Sequence, residues 1–429
     1  MTVGWLAGMP PHWQALPLRY IAEPLGGLTF GPEDISEAEN GTLVLRSSNI
    51  QNGAIDLTDA LYVNVPVPSR MLLQPGDILV CSRNGSRALI GKNASIPPEL
   101  EGQTFGAFMT VLRSSANEFL YWVLNSPLFE QQSATFLTST INQLTLGNFK
   151  SFIVPYPPED ERRRISIFLA RETAQIDALI GKQARLIELL AERRQAFIAH
   201  AVTKGLDPNA PTKPSGIPWL GDINASWPVR PLKAAGQIRL GKMIQPSPKT
   251  ETDFEAPYLR AANVQPNGVL ALDDVKKMWF NESELRSLDV RSGDVVVVEG
   301  GIGGFGRAAY VEKDLPGFGY QNSINRIRPS ESEDGRYLTY LLLTARHAGF
   351  IHAYCTGVSM PHLTAEKLAA INVPLPARST QTEISDRLDA QISKLNALSD
   401  KASAVIANLS ERRSALISAA LTGKLAMFS

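Results

Sequence analysis

The sequence has no surplus of either charge: 42 basic residues balance 42 acidic ones across 429 positions. A neutral chain exerts no global pull on nucleic acid or on an anionic membrane, so any such contact must come from local patches. Cysteine and histidine are scarce, with Cys81, Cys355 and five histidines in all. None has the spacing of a metal site, and two cysteines in opposite halves of the chain fit a reducing compartment. No stretch approaches the ~20 apolar residues of a membrane span, and the opening MTVGWLAGMPPHW has neither a basic leader nor an apolar run. The expectation is a cytoplasmic protein with no membrane contact. At 44% hydrophobic residues the chain is long enough for two or three domains.

What the chain does have is a repeat. Residues 191–206 read AERRQAFIAHAVTKGL and residues 410–425 read SERRSALISAALTGKL. The match extends outward: LRSSNIQNG (45–53) meets LRAANVQPNG (259–268), PGDILV (75–80) meets SGDVVVV (292–298), and FIVPYP (152–157) meets INVPLP (371–376). One unit of about 210 residues is duplicated in tandem, too long a period for a solenoid and suited to a whole domain with an appendage.

Each copy has two unlike parts. The first, roughly 20–150 and 235–370, is rich in Gly, Pro, Asn and Ser and holds short β-type runs from Asp77 to Val80, Ala107 to Leu112 and Asp294 to Val298. The second, roughly 159–204 and 378–423, contains no proline. Steps of four and three residues there trace a heptad seam through Ile165, Leu169, Glu172, Ile176, Leu179, Gln183, Leu186, Leu190, Arg193, Phe197 and His200. The second copy repeats it through Ile384, Leu388, Gln391, Leu395, Leu398, Ala402, Val405, Leu409, Arg412, Leu416 and Ala419. Two such helices are natural coiled-coil partners. A helix of that length measures about 68 Å, while the intervening globular part is only about 35–40 Å across, so the connectivity favours an antiparallel pair. The expected fold is α+β: two repeated globular domains joined by two long antiparallel helices in a coiled coil, with a pseudo-twofold axis. The expected boundaries are 1–157 and 219–376 for the globular domains, 158–206 and 377–425 for the helices, and 207–218 for a linker.

Catalytic motifs do not survive inspection. Residues 301–306, GIGGFG, satisfy G-x-G-x-x-G, but the following RAAYVEKDLPGFG is too short and broken for the required helix. Asp294 and Glu299 have the look of a nuclease metal pair, yet no lysine stands beside Glu299 and the other copy has Ser82. No Pro-Pro-aromatic motif led by Asn or Asp is present, which argues against an adenine methyltransferase.

The full-length pattern resembles the DNA-specificity subunits of type I restriction-modification systems. The resemblance is carried by GIPWLG with Trp227 and its weaker copy GWLAGMPPHW (4–13), by GDILVCSRNGS (76–86) and GDVVVVEGGIGGFGRAA (293–309), and by IVPYPPEDERRRI and INVPLPARSTQTEI leading into the helices. One departure is Ser379-Thr380-Gln381-Thr382, where the family usually has Glu-Gln. The resemblance implies a non-catalytic subunit whose globular parts are target-recognition domains, each reading half of a split site in double-stranded DNA. It implies helices that act as a ruler and dock two methyltransferase subunits and, through them, restriction subunits. No cofactor is then expected on this chain; S-adenosylmethionine, ATP and magnesium belong on the partners. The competing expectation is an adaptor whose two ends bind proteins rather than DNA.

Site-specific recognition of DNA needs Arg, Lys, Asn, Gln and Ser on loops, for phosphates and base edges. Arg46 and Asn49 match Arg260 and Asn263, which suggests a shared backbone or structural role, with a turn-closing hydrogen bond as the alternative for the asparagines. By contrast SRNGSR (82–87) faces EGGIGG (299–304), and TSTINQ (138–143) faces GVSMPH (357–362). Divergent loops on one scaffold are where two different half-sites would be read. The candidate DNA contacts are therefore Arg46, Asn49, Arg83, Asn84, Ser86, Arg87, Thr140 and Asn142 in the first copy. In the second they are Lys242, Arg260, Asn263, Glu299, Arg307, Gln321, Asn322, Ser359 and His362. The two Glu-Arg-Arg runs, Glu192, Arg193, Arg194 and Glu411, Arg412, Arg413, are the candidate contacts with partner subunits.

Overall fold

The structure, a computed structural model, describes residues 8–137, 142–301, 304–355 and 362–425. The chain forms two compact units, one of Met1–Ala184 with Ser403–Ser429 and one of Arg185–Ala402. The units therefore do not end where the globular sequence parts end. Each long helix is shared, because its apolar positions are buried by the globular part nearest each end.

In the first unit, β1 (Glu23–Gly26), β2 (Ile78–Cys81), β3 (Asn93–Ser95) and β4 (Met109–Arg113) form an antiparallel sheet in the order β1-β4-β2-β3. Val111 stands opposite Leu25 on one side and Leu79 on the other. All four residues of β2 are buried, so the strand reads as an unbroken apolar run rather than an alternation. Ile78 and Val80 face a core shared with α1 (Asn117–Leu124), Phe149, Phe152, and the long helices α2 (Glu159–Lys204) and α4 (Arg378–Leu421). Leu79 and Cys81 face the opposite core, with Leu43, Leu45 and Phe105.

The second unit repeats this plan. Strands β5 (Gly236–Leu240), β6 (Val295–Val298), β7 (Ala308–Tyr310) and β8 (Ile324–Pro329) are ordered β5-β8-β6-β7, and α3 (Gly335–His347) takes the place of α1. Val295 and Val297 pack with Leu338, Leu341 and both long helices, while Val296 and Val298 pack with Phe280 and Tyr320.

The repeated Gly-Asp before each central strand is a structural lock. Asp77 accepts from the Gln74 amide at 2.9 Å and from Arg113 Nε and Nη2 at 2.9 and 2.6 Å. Asp294 accepts from the Arg291 amide at 2.8 Å and from Arg328 Nε and Nη2 at 2.8 and 2.7 Å. The carboxylate that resembled one half of a metal pair is therefore wholly engaged by arginine. Among the described residues, no cluster of three or more His, Cys, Asp or Glu is placed to hold a metal ion.

The helices are antiparallel within each unit. In the first unit Ile165 and Leu169 share a core with Ile417, Ala420 and Leu421, and Arg413 Nε meets Asp177 at 2.9 Å. In the second, Ile198 and Val202 share a core with Ile384, Leu388 and Ile392. The heptad seam is buried at Ile165, Leu169, Ile176, Leu190, Ile384, Leu388, Leu395 and Ala402, but Leu179, Leu186, Leu398 and Val405 stay exposed. Two helices alone bury only the flank of a seam residue that faces the partner helix; a globular domain must cover the rest.

Both helices stop on a glycine. Gly205 (φ +88°) and Gly423 (φ +71°) take the left-handed conformation in which any side chain is strained. A Cβ at Gly423 would also stand 2.3 Å from Pro10 and one at Gly205 3.3 Å from Trp227. The recurrence of TKGL and TGKL follows. Gln381, part of the departure from the family pattern, is fully buried: it accepts from the Asp334 amide at 2.9 Å and donates to Pro376 O at 2.8 Å, fixing the start of α4 to the globular part. Among the described residues, no helix is long and apolar enough to cross a membrane.

Candidate nucleic-acid interface

In each unit a loop after the central strand is strapped to the segment that follows the divergent loop. Arg83 bridges Gln143 in the first unit, and Gly300 bridges His362 in the second. The next hydrogen bonds also match: Leu144 N donates to Ser82 O at 2.8 Å, and Leu363 N to Glu299 O at 2.7 Å. Ser82 N donates to Phe108 O at 3.0 Å, as Glu299 N does to Ser323 O at 2.9 Å. A second pair of bridges, Leu28 with Gly106 and Lys242 with Gln321, completes the correspondence. The backbone is one design used twice, and the side chains it displays are different. Among the described residues, the two loops singled out in each half are thus joined at Arg83 with Gln143 and at Gly300 with His362.

The first edge carries Arg83, Asn84, Ser86, Arg87 and Asn142. Arg83, Ser86 and Arg87 are exposed. Asn84 Nδ2 donates to Ser47 Oγ at 3.2 Å while its Oδ1 accepts from the Ser86 amide at 2.9 Å. Asn142 Nδ2 donates to Gly85 O at 3.1 Å, so these two amides stiffen the loop that carries the arginines. Thr140 lies outside the described residues.

The second edge is mixed in charge. Glu299 is half-buried, and burial raises its carboxyl above the usual range against the pull of nearby His362. The His362 ring lies against Gly300, where a Cβ would stand 2.5 Å from Nδ1 and would force the ring to move. Lys242 pairs with Glu284 and lies over the Phe280 ring at 5.2 Å. Asn322 N donates to Lys242 O at 2.8 Å and Gln321 N to Leu259 O at 2.9 Å, which leaves both side chains part-exposed beside it. Arg307 enters β7 with its amide on Gly304 O at 3.2 Å. Ser359 lies outside the described residues.

Asn49 and Asn263 belong to the scaffold instead of the edge. Asn49 is fully buried; its Oδ1 accepts from the Arg46 amide at 2.8 Å and its Nδ2 donates to Asp56 O and Asp59 O, both at 3.0 Å. Asn263 does the same with Arg260 N, Ala271 O and Asp274 O. Both amide hydrogens of each are spent inside the turn and both side chains are buried, which favours the turn-closing alternative over a base contact. Arg46 and Arg260 are each held by an aspartate of the same turn, Asp59 and Asp274. Replacing Asn49 or Asn263 by alanine should destabilise its own unit by about 1–3 kcal/mol, because buried backbone groups lose their partners. Hydrogen exchange resolved to each unit checks this; unchanged protection of the altered turn would count against it.

The Glu-Arg-Arg runs divide. Glu192, Arg193, Glu411 and Arg412 are exposed. Arg194 is turned inward, Nη2 donating to Asn267 O at 2.9 Å, and burial lowers its pKa. Arg413 pairs with Asp177. The last arginine of each run therefore works inside its own unit, and the first two residues remain on the surface.

Sequence reading missed Phe108. It is 57% exposed, and the Arg83 guanidinium lies over its ring at 4.9 Å. Its one detectable signal is the mismatch with Ser323 in the turns that precede two corresponding strands.

Comparison with known proteins follows the same line. Residues 224–408 match the type I restriction modification DNA specificity domain. The type I restriction enzyme EcoKI specificity subunit of Escherichia coli (strain K12) is 26% identical over 298 residues, 67% of this chain and 61% of that one. The StySPI specificity subunit of Salmonella potsdam is 28% identical over 221 residues, 49% of this chain and 47% of that one. The chain thus spans less than two thirds of the length of these curated relatives. A solved chain described under "Structural basis underlying complex assembly and conformational transition of the type I R-M system" aligns over 97% of this chain and 99% of that one at 18% identity, with a TM-score of 0.65. That likeness shows the fold.

Proposed function

We propose, for a chain whose residues 224–408 match the type I restriction modification DNA specificity domain, that it is the non-catalytic DNA-reading subunit of a restriction-modification complex. Each unit reads one half of a bipartite duplex target through its strapped edge. Two methyltransferase subunits dock on the long helices around Glu192, Arg193, Glu411 and Arg412, and restriction subunits join through them. S-adenosylmethionine, ATP and magnesium act on those partners.

The observation that carries this reading is the pair of equivalent straps with unlike side chains. A protein that bound the same partner twice would keep the displayed residues alike and let the scaffold drift. Here the buried locks at Asp77 and Asp294 and at Asn49 and Asn263 are kept, while Arg83 stands against Gly300 and Phe108 against Ser323. Conserved scaffold with divergent display suits two different half-sites on DNA, where phosphate contacts set position and base edges set sequence.

The test is retention of DNA by the chain assembled with its cognate methyltransferase, at matched salt, against random duplexes. Binding should select two defined half-sites separated by an unspecified spacer. Equal retention of every duplex, or none, would favour the protein-binding adaptor instead. The chain without partners should transfer no methyl group and cut no DNA.

A further inference from the structure

We infer that Arg83 and Phe108 act together as a dinucleotide reader, taking a guanine with the thymine of the neighbouring base pair in the half-site read by the first unit. The inference rests on the DNA-reading function proposed above and adds the bases and the residues.

The two side chains are unlike the rest of the edge. The Phe108 backbone is tied on both sides, its carbonyl accepting from Ser82 N, Ser82 Oγ and Arg83 N, each at 3.0 Å. The ring itself is 57% exposed, and the Arg83 guanidinium covers one face from 4.9 Å. The second unit serves as an internal control. At the same point of the same strap it has Ser323 and Gly300, with Glu299 N donating to Ser323 O as Ser82 N does to Phe108 O. The fold therefore requires neither an aromatic nor a cation there. The exposed ring and the cation over it are thus available as a contact surface that the second unit lacks.

The chemistry of the pair fits adjacent base pairs in the major groove. A guanidinium donates two parallel hydrogen bonds to guanine O6 and N7, and phenylalanine meets the C5-methyl of thymine. The position of the guanidinium 4.9 Å over the ring holds Arg83 beside Phe108 before DNA arrives. Successive base pairs are separated by about 3.4 Å, a step that the stacked pair spans without rearranging.

The experiment uses the full chain with its methyltransferase. Sites are first selected from a random duplex pool, then re-made with 7-deazaguanine, which lacks N7, or deoxyuridine, which lacks the methyl group. One half-site should contain a G·C pair next to a T·A pair. For the unaltered chain 7-deazaguanine at that position should weaken binding roughly 5- to 150-fold, and deoxyuridine should weaken it measurably. Arg83→Ala should abolish the sensitivity to 7-deazaguanine, and Phe108→Ser, which installs what the second unit already tolerates, should abolish the sensitivity to deoxyuridine. Recognition of the other half-site should be unchanged in both variants and so reports their folding. Selected half-sites with no such step, or variants that stay as sensitive as the parent to both analogues, overturn the inference while leaving the DNA-reading function intact. A pool that yields no sequence at all overturns both.

Discussion

Exchanging residues 20–150 for the equivalent part of a related specificity subunit will change the sequence read at one half of the target and leave the other half untouched. The exchanged segment holds β1 to β4, α1 and the whole first edge, from Arg83 through Gln143. It leaves in place the outer clamp of the unit, where Gln14–Pro17 pairs antiparallel with Ile153–Tyr156. The condition on the donor is apolar continuity. Its counterparts of Ile78, Val80, Phe119 and Leu120 must still fill the core that Ile165, Leu169 and Ile417 contribute from the helices. Specific protein–DNA binding exceeds non-specific binding by roughly 10³-fold or more, so affinity for the original target should fall by about that factor while a hybrid target is gained. Binding to a matrix of duplexes that combine either parental half-site measures it. A properly folded hybrid that lost both halves, or changed neither, would show that the units do not read independently.

The duplication was legible because its evidence is local: identical residue types in order, with helices free of proline and stepped at heptad spacing. The strands around Ile78, Met109 and Val295 were legible for the same reason. The seam was only partly so. Leu179, Leu186, Leu398 and Val405 keep the spacing yet stay exposed, because burial depends on what else packs over the helix pair, which periodicity does not encode. The edges themselves were half legible. SRNGSR and EGGIGG stood out as a mismatch within a matched motif, but the bridging of Arg83 to Gln143 and of Gly300 to His362 joins residues some 60 positions apart, a pairing that no local pattern announces. Asn49 and Asn263 show the converse: polar residues at matching sites look like ligands in a sequence and prove to be hydrogen-bond spokes of a turn. Asp294 was suspect for a similar reason, since its partner Arg328 lies on the neighbouring strand and only the fold brings them into contact.

That carboxylate carries the largest single-residue effect expected in the molecule. Asp294 is almost completely buried and accepts three hydrogen bonds, two of them from Arg328. Around it, Arg291, Arg326 and Arg328 all pair with Asp289, Arg328 alone pairing with Asp294 as well, and Arg326 is itself buried, donating to Asp289 O at 2.6 Å. Asp294→Ala leaves three cations on one carboxylate, in a place water reaches poorly, and the second unit should lose about 3–5 kcal/mol. The equivalent Asp77→Ala should cost less. Arg113 is the only cation whose ion pair with Asp77 is lost, and its Nη2 still donates to Leu72 O at 2.7 Å. A chain of two units does not unfold in one step, so the measurement is hydrogen exchange resolved to β6 and β8 in one variant and to β2 and β4 in the other. The loss arises from stranded charge, and removing the charge should therefore repair it. Asp294→Leu combined with Arg328→Met replaces the pair by apolar residues of similar reach, and isosteric replacement of buried ion pairs is often neutral. Most of the lost protection should return. If the double variant were as unprotected as Asp294→Ala, the aspartate would be acting through its bond to the Arg291 amide, and the lock would be a turn cap rather than an ion pair.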